Sequence, residues 1–214
     1  MSCCCEPGDL DSTFTTGRAE ADARGYRRKG LRGEARAIVE IVRAEGISGR
    51  SVLEVGGGVG AIQIDLLRAG AAHATNVELS RSYEGAAHAL SLAAGLADRI
   101  VRKVGDFVAE APRIAPADIV VLHRVVCCYP NVDALAGAAA LHARSLLVLT
   151  MPVERWWTRA AALAINLRPR ITRSKFRFYV HPSAAVIAAA SANGLRLKER
   201  RRGRIWQLLV LVRA

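Results

Sequence analysis

The stretch Ser51 to Ala61, SVLEVGGGVGA, contains the pattern that decides the fold. A short apolar run leads into a group of glycines, and a segment compatible with a helix follows at 61–69. This order predicts a buried β-strand, a tight turn and an α-helix. Glycine at positions 56, 58 and 60 permits positive φ and a close approach of a ligand. Because the helix N-terminus presents unpaired N–H groups, the stretch predicts a nucleotide-like ligand at the end of this strand.

The glycine turn alone is compatible with two cofactors. It satisfies the dinucleotide pattern G-x-G-x-x-A with Gly56, Gly58 and Ala61, which leaves an NAD-linked oxidoreductase as an alternative. Glu54, however, lies at the strand end, where a dinucleotide fold usually has an apolar residue. Glu78 ends the next short strand, where a carboxylate can accept hydrogen bonds from both ribose hydroxyls. The two carboxylates therefore favour a nucleoside ligand other than a dinucleotide.

A third carboxylate, Asp106, follows the third predicted strand in the sequence VGDF. With the glycine turn and the two earlier carboxylates in this order, 50–150 resembles the class I S-adenosylmethionine (SAM) methyltransferases. The resemblance implies SAM as cofactor, with Asp106 accepting from the adenine amino group and Phe107 or Leu79 packing on the adenine face. A helix N-cap or a turn is the alternative role for Asp106. The cofactor-binding candidates are Glu54, Gly56, Gly58, Gly60, Glu78, Leu79, Asp106, Phe107 and His123.

Strands and helices alternate over most of the chain. Predicted strands lie at 51–55, 74–78, 99–104, 118–122 and 146–150, with two more at 195–201 and 205–212. Helical segments separate the first five strands, which implies a parallel sheet with right-handed crossovers. The last two strands are joined by a short turn and predict an antiparallel hairpin. We therefore expect an α/β fold, with a Rossmann-like, seven-stranded, mostly parallel sheet, a C-terminal antiparallel hairpin and helices on both faces.

Length and composition fit one domain. The 214 residues are 51% hydrophobic and contain no run of 18 apolar residues, so no membrane-spanning helix is expected. The N-terminus lacks the basic and apolar regions of a secretory signal, so we expect a cytoplasmic protein. The expected parts of a single methyltransferase domain, 1–214, are an N-terminal arm with covering helices at 1–45, a SAM-binding core at 50–150, a substrate-lid insert at 151–182, and a terminal helix and hairpin at 183–214.

The chain is strongly basic, with 31 Lys and Arg against 19 Asp and Glu and a net charge of +12. Such a balance indicates nucleic acid, anionic lipid or an acidic substrate, or else a surface that uses Arg for solubility. Basic segments at 24–32, 168–177 and 196–204 support nucleic acid as the weaker alternative, since Phe176 and Phe178 interleave the second and could stack on bases. The same aromatic alternation fits a short strand that packs inward.

The acceptor end is expected at 123–130, HRVVCCYP, which follows the central strand. It lacks the D/N-P-P-Y/F sequence that amino-methylating nucleic-acid enzymes usually carry there. The Tyr-Pro pair and the insert with an aromatic helix and a basic tail resemble the magnesium-protoporphyrin IX O-methyltransferases and similar small-molecule enzymes. The chain departs from that family at Arg124, where the family tends to have Asp, and at Cys128, where it tends to have His. The resemblance implies a small-molecule acceptor.

Two acceptor chemistries stay open. A carboxylate is already nucleophilic and needs a cationic clamp, which Arg124 or the cluster at 168–177 could supply. A hydroxyl needs a general base, for which His123 and His181 are candidates. The catalytic candidates are His123, Arg124 and Tyr129, and the substrate-contact candidates are Tyr26, Cys128, Trp156 and His181.

The cysteines suggest a further alternative. They form two clusters, Cys3 to Cys5 in the N-terminal arm and Cys127 with Cys128 after the central strand. Together they could bind a soft metal or metalloid, which would make the protein a thiol or metalloid methyltransferase. No C-x-x-C spacing is present, so a zinc ribbon is not supported and no metal ligands are assigned.

Overall fold

Seven strands form one continuous sheet in the structure, which is a computed structural model. It describes residues 10–172 and 176–214, and for 168–172 it describes the backbone but not the side chains. The strands are β1 Ser51–Val55, β2 His73–Glu78, β3 Ile100–Val104, β4 Ala117–His123, β5 Ala143–Pro152, β6 Leu195–Arg202 and β7 Trp206–Arg213. Their order is β3-β2-β1-β4-β5-β7-β6, and β7 runs antiparallel to both neighbours while the other pairs are parallel. The expected mostly parallel sheet with a C-terminal antiparallel hairpin is confirmed.

Helices cover both faces of this sheet. In the described residues they are α1 Thr16–Lys29, α2 Gly33–Ala44, α3 Ala61–Arg68, α4 Glu84–Ala93, α5 Phe107–Glu110, α6 Val132–His142, α7 Trp156–Thr172 and α8 Ser183–Ala192. Helices α1 to α4 pack with Val52 and Ile119 on one face, whereas α5, α6 and α8 pack with Leu53 and Val120 on the other. Because successive strand residues point to opposite faces, β1 and β4 are buried on both sides, which requires their continuous apolar runs.

Local hydrogen bonds decide where several elements begin and end. The Asn131 Oδ1 accepts the Ala134 N–H at 3.0 Å, so Asn131 caps α6 as its sequence position predicts. Strand β5 is longer than the predicted 146–150, because β7 pairs with it from Leu146 to Pro152. The sequence pattern identifies the apolar centre of β5, but the length of β5 also depends on how far the neighbouring strand pairs with it.

The insert after β5 is anchored beside the end of β4. Its helix, α7, is longer than the predicted 155–167. The Asn166 side chain donates to the Phe178 carbonyl at 2.8 Å and accepts the Phe178 N–H at 2.7 Å, which ties the returning chain to the helix. The Tyr179 N–H then donates to the Cys127 carbonyl at 2.7 Å. These bonds hold the returning chain next to the residues that follow β4.

Residues 176–182 do not form the short strand that the aromatic alternation predicts. The Phe176 ring meets Phe14 edge-on with centroids 5.8 Å apart, and the Phe178 ring meets Trp206 at 6.4 Å. The segment therefore joins the insert to the N-terminal region and to the hairpin. The basic residues at 173–175 lie outside the described residues. No helix of the described chain combines the length and the apolarity needed to cross a membrane.

Truncation of Leu149 on β5 to alanine is predicted to destabilise the fold strongly. Leu149 is 0% exposed within the core between the sheet and α6, and loss of a fully buried leucine side chain costs about 2–5 kcal/mol. Urea unfolding measures the free-energy difference. Leu92→Ala is the matched control, since Leu92 is 55% exposed. An equally small effect at both positions would contradict the placement of Leu149 in the core.

Candidate cofactor and acceptor site

A cavity of about 550 Å³ lies at the carboxyl ends of β1, β2 and β4, beneath α1. Its volume is typical of small-molecule sites, and this edge of an open α/β sheet is where ligands bind. The sequence candidates that line it are Tyr26, Gly56, Gly58, Glu78, Leu79, Asp106, Phe107, His123, Arg124, Cys128 and Tyr129. The fold therefore brings most of the cofactor candidates and part of the acceptor candidates to one place.

The glycine turn has the conformation that its sequence predicts. The three glycines of the pattern have φ of 64°, 55° and 76°, in the left-handed region that glycine tolerates. Gly57 is needed for a different reason, since a Cβ there would lie 2.1 Å from Asn76 Nδ2 and 2.7 Å from Glu54 Oε2. Gly60 lies behind the cavity lining, at the N-terminus of α3. The turn thus faces the cavity on one side and a packed polar layer on the other.

Two backbone hydrogen bonds hold Glu78 in the cavity wall. Its Oε2 accepts the Gly58 N–H at 2.8 Å, and its Oε1 accepts the Ser80 N–H at 3.0 Å. Glu78 is 8% exposed, and burial raises the pKa of its carboxyl while the two N–H donors and Arg102 oppose that rise. A carboxylate offers about four acceptor positions in all, so those that the backbone N–H groups leave free can accept hydroxyl donors from a ligand.

Glu54 lies beneath the glycine turn and behind the cavity lining. It is 1% exposed, and its Oε2 accepts the Gln63 N–H at 3.3 Å. Burial raises the pKa of Glu54 to about 8, although the Gln63 N–H and the charge of Arg102 act against it. The carboxyl is therefore mostly uncharged at neutral pH and supports the turn from below. A direct contact between Glu54 and a cofactor stays a prediction.

Asp106 caps a helix and also lines the cavity. Its Oδ1 accepts the Val108 N–H at 2.9 Å, which confirms the N-cap role at the start of α5. The Tyr129 hydroxyl donates to the same carboxylate, with distances of 3.1 and 3.0 Å to Oδ1 and Oδ2. This contact makes Tyr129 a positioning residue for Asp106. The adenine contact assigned to Asp106 stays a prediction.

The end of β4 fixes the protonation state of His123. Thr150 on β5 is fully buried, and its Oγ1 accepts the Arg124 N–H at 2.9 Å and lies 3.0 Å from His123 Nδ1. A buried hydroxyl must also donate its own proton, so we assign Nδ1 as the acceptor and Nε2 as the protonated nitrogen. Burial and the charge of Arg124 lower the pKa of His123 to about 4. His123 is thus a neutral hydrogen-bond donor at physiological pH, which argues against its candidate role as a general base.

Arg124 has a backbone conformation that is rare for a residue with a side chain, with φ of 60°. Its Nη2 donates to Glu34 Oε2 at 3.0 Å, and its guanidinium lies 4.7 Å from the centroid of the Trp206 ring. The side chain lines the cavity and is 48% exposed. Arg124 therefore lines the cavity while it pairs with the Glu34 carboxylate, and its role as a cationic clamp stays a prediction.

Two of the predicted substrate contacts, Tyr26 and His181, have structural partners of their own, and a third, Trp156, lies outside the cavity lining. Tyr26 lines the cavity, but its hydroxyl donates to Asp65, and burial together with Asp65 raises the pKa of that hydroxyl. His181 Nε2 lies 2.8 Å from the Tyr129 carbonyl, behind the cavity lining. Trp156 is 77% exposed on α7, away from the lining. Neither His181 nor Trp156 is among the residues that line the cavity.

The cysteines after β4 form a close pair. Cys128 lines the cavity, and its Sγ lies 3.6 Å from that of Cys127. The hydrogen bond with Cys128 and burial raise the pKa of the Cys127 thiol, which disfavours the thiolate that a metal would need. Within 10–172 and 176–214, no cluster of His, Cys, Asp and Glu is arranged to hold a metal ion. Cys3 to Cys5 lie outside these ranges, so the metalloid alternative rests on the sequence alone.

Helix α1 forms the roof of the cavity, and Tyr26 is the one residue of this helix among the site residues predicted from the sequence. The Tyr83 hydroxyl donates to Asp22 at 3.1 Å, and the Arg18 guanidinium lies 5.3 Å from the centroid of the Phe14 ring. The lining residues of α1 are Arg18, Ala21, Asp22, Gly25, Tyr26 and Lys29. They recur at spacings of three and four, so a single helical face covers the cavity. That spacing is the sequence signal from which this set could be found.

Comparison with known proteins shows a likeness of fold. No protein-family model and no curated protein matches the chain. Among solved structures, it is similar to magnesium protoporphyrin IX methyltransferase from Synechocystis PCC 6803 with bound S-adenosylhomocysteine (SAH), with a TM-score of 0.70 and 20% identity over 95% of this chain and 97% of that one. An O-methyltransferase family protein from Burkholderia thailandensis has a TM-score of 0.72 and 19% identity, over 96% of this chain and 63% of that one.

Human N-acetylserotonin methyltransferase in complex with SAM is a third similar structure, with a TM-score of 0.64 and 13% identity over 96% of this chain and 58% of that one. The resemblance that the sequence predicts is therefore confirmed at the level of the fold, which is that of the class I SAM-dependent methyltransferases. At these identities the likeness does not extend to the reaction or to its acceptor.

Gly57→Ala is predicted to disturb the glycine turn. The added methyl group would meet Asn76 Nδ2 at 2.1 Å and the Glu54 carboxyl at 2.7 Å, and overpacking of this kind costs about 1–3 kcal/mol. Urea unfolding gives the loss of stability. Gly85→Ala on α4 is the matched control, since a Cβ there has nothing within 4 Å and alanine favours a helix. Equal stabilities of the two variants would refute the tight packing beneath the turn.

The buried Glu54 carboxyl predicts a pH dependence of stability. Its pKa of about 8 in the folded chain lies above the unfolded value, so its stabilising contribution is complete below the unfolded pKa and is lost as pH rises through about 8. Glu54→Gln keeps the shape without the titration. Between about pH 5 and pH 9, the difference in unfolding free energy should therefore move in favour of the variant.

Glu40→Gln is the control for this titration, because the Glu40 side chain is 55% exposed. A difference between Glu54→Gln and wild type that stays as flat with pH as that of Glu40→Gln would mean that Glu54 is ionised in the folded chain.

Proposed function

We propose that this protein is a SAM-dependent methyltransferase that acts on a small molecule. The order of groups around the cavity supports the proposal, with the glycine turn after β1, Glu78 after β2 and Asp106 after β3. The observation that carries it is the Glu78 carboxylate, fixed in the cavity wall by the N–H groups of Gly58 and Ser80. A carboxylate held in this way suits a ligand with two neighbouring hydroxyls, such as a ribose.

The other lining residues fit the rest of that cofactor. Leu79 and Phe107 offer apolar contacts for an adenine ring, and Asp106 offers an acceptor for its amino group. Phe107 is 4% exposed and packs edge-on against His142, with centroids 5.5 Å apart, so this wall is rigid. When bound, SAM supplies a methyl group on a sulfonium centre, which an acceptor takes up by in-line displacement. The protein would position the acceptor against the methyl group and exclude water from both, and α1 covers the cavity in a way that suits this role.

We infer a carboxylate as the acceptor in preference to a hydroxyl. In the assigned tautomer, the Nδ1 lone pair of His123 accepts from Thr150 and Nε2 already carries a proton, so His123 cannot take a proton from a hydroxyl. A carboxylate needs no base and is attracted by cations. The cations that line the cavity are Arg18, Lys29, Arg32 and Arg124. Two of the acidic groups there, Glu78 and Asp106, lie at the cofactor end.

Calorimetric titration tests the cofactor. We expect SAM and SAH to bind and NADH not to bind, and binding of NADH alone would refute the proposal. Methyl transfer from labelled SAM to cell extract, separated into small-molecule, RNA and protein fractions, tests the acceptor. Label in the small-molecule fraction that mild alkali releases indicates a methyl ester and hence a carboxylate acceptor. Alkali-stable label would indicate a hydroxyl acceptor, and label in RNA or protein would contradict a small-molecule acceptor.

Glu78→Gln is predicted to weaken SAM binding by about tenfold to a hundredfold, because hydrogen bonds to a charged group contribute about 1.5–3 kcal/mol. Calorimetry measures the dissociation constant, and urea unfolding checks that the fold is retained. Glu20→Gln on α1 is the charge-matched control, since the Glu20 side chain is 57% exposed and lies outside the cavity. Unchanged affinity in a folded Glu78→Gln variant would remove Glu78 from the binding site.

A further inference from the structure

Helix α7 turns its apolar side towards solvent. Its buried positions before residue 168 are Thr158 and Ala162, at 5% and 7% exposure. Trp156, Leu163 and Leu167 are by contrast 77%, 71% and 58% exposed. A surface helix normally buries its apolar stripe, and a contiguous exposed apolar patch marks a site of interaction.

The exposed apolar residues of α7 form a continuous stripe. At 100° per residue, positions 156, 160, 163, 164 and 167 fall within an arc of about 100°, and the buried positions 158 and 162 lie on the opposite side. All five are exposed. We call Trp156, Ala160, Leu163, Ala164 and Leu167 the α7 apolar face. Its width is that of the stripe with which an amphipathic helix meets an apolar phase.

Cations surround the start of this face. The Arg155 guanidinium lies 4.9 Å from the centroid of the Trp157 ring, and Arg159 is exposed on the flank of the face. The Trp157 indole N–H donates to the Arg204 carbonyl at 3.4 Å, which joins the turn between β6 and β7 to the helix. That turn exposes Ile205 at 53%, and its Arg204 is exposed as well. The apolar surface is therefore rimmed by positive charge.

We propose that the α7 apolar face and the adjoining β6–β7 turn bind the surface of an anionic lipid bilayer, with α7 lying in the plane of the interface. Apolar side chains would enter the boundary between headgroups and acyl chains, and the arginines would pair with lipid phosphates. With 17 residues, α7 is about 25 Å long, which suits a helix that lies on a membrane. The net charge of +12 adds a long-range attraction to an anionic surface.

The charge pattern favours lipid over the other occupants of such a face. An RNA-binding surface would turn cations towards the phosphates, whereas none of the five residues of the α7 apolar face is charged. A second copy of the chain would bring the same patch opposite itself. The rims at Arg155, Arg159 and Arg204 would then repel their own copies, while an anionic bilayer complements them.

Flotation of the full chain with lipid vesicles tests the proposal. We expect binding to vesicles that contain roughly one-third phosphatidylglycerol, weak binding to pure phosphatidylcholine, and a decrease with added salt. Leu163→Asp should lower the partition coefficient by about tenfold. Leu141→Asp on α6 is the matched control, because Leu141 is 62% exposed outside α7, and it should bind like wild type. Circular dichroism confirms that both variants are folded.

Several results would overturn the proposal. One is equal or absent binding to both kinds of vesicle, and another is equal impairment by Leu163→Asp and Leu141→Asp. A wild-type dimer that Leu163→Asp dissociates, measured by light scattering, would assign the face to a second copy. Binding of a labelled RNA that Leu163→Asp abolishes would assign the face to nucleic acid.

Discussion

The parallel pairing of β1 with β2 and β4 is the constraint on which the candidate site depends. Val55 pairs with Val77 of β2 and with Leu122 of β4, so the three strands end at the same level of the sheet. The residues that come next in each strand's path, Gly56, Glu78 and His123, therefore meet at one edge. A shift of register by one residue would exchange the two faces of a strand. The packing of the apolar core thus sets the distances among Gly56, Glu78 and His123, although these three residues contribute little to the core.

The two buried glutamates show how local hydrogen bonding separates a ligand-facing carboxylate from a supporting one. Burial raises the pKa of both Glu54 and Glu78. Glu78 receives two backbone N–H donors at 2.8 and 3.0 Å, whereas Glu54 receives one at 3.3 Å. Ionisation of a buried carboxyl requires such donors. Backbone donors therefore orient the Glu78 carboxyl on the cavity side, whereas burial with fewer donors keeps the Glu54 carboxyl beneath the turn close to neutral.

The sheet and the cavity wall at its edge could be predicted from the sequence because their signals are local. An apolar run, a glycine turn and a carboxylate at a strand end each lie within a few residues. The roof could not be predicted in this way, since the contact between Asp22 and Tyr83 joins residues 61 positions apart. The tautomer of His123 likewise depends on Thr150, and the two residues lie side by side only because β4 pairs with β5. Trp156 shows a further limit, because the sequence predicts it as a substrate contact and the structure places its exposed ring on α7, outside the cavity lining.

The composition of α7 explains how a helix with so few buried contacts is stable. Isolated helices of this length are marginal in water, and most surface helices depend on an apolar face packed against the core. Between Arg159 and Ile165, α7 has the sequence RAAALAI, which is rich in the residue of highest helix propensity. The Asn166 bonds to Phe178 fix the inner side of the helix without a large packed surface. Propensity, these two hydrogen bonds and the bond from the Trp157 indole to the Arg204 carbonyl thus contribute to holding α7 beside the end of β4. Within the described residues the core does not use the outer side of α7, and the large apolar side chains on that side are left facing solvent.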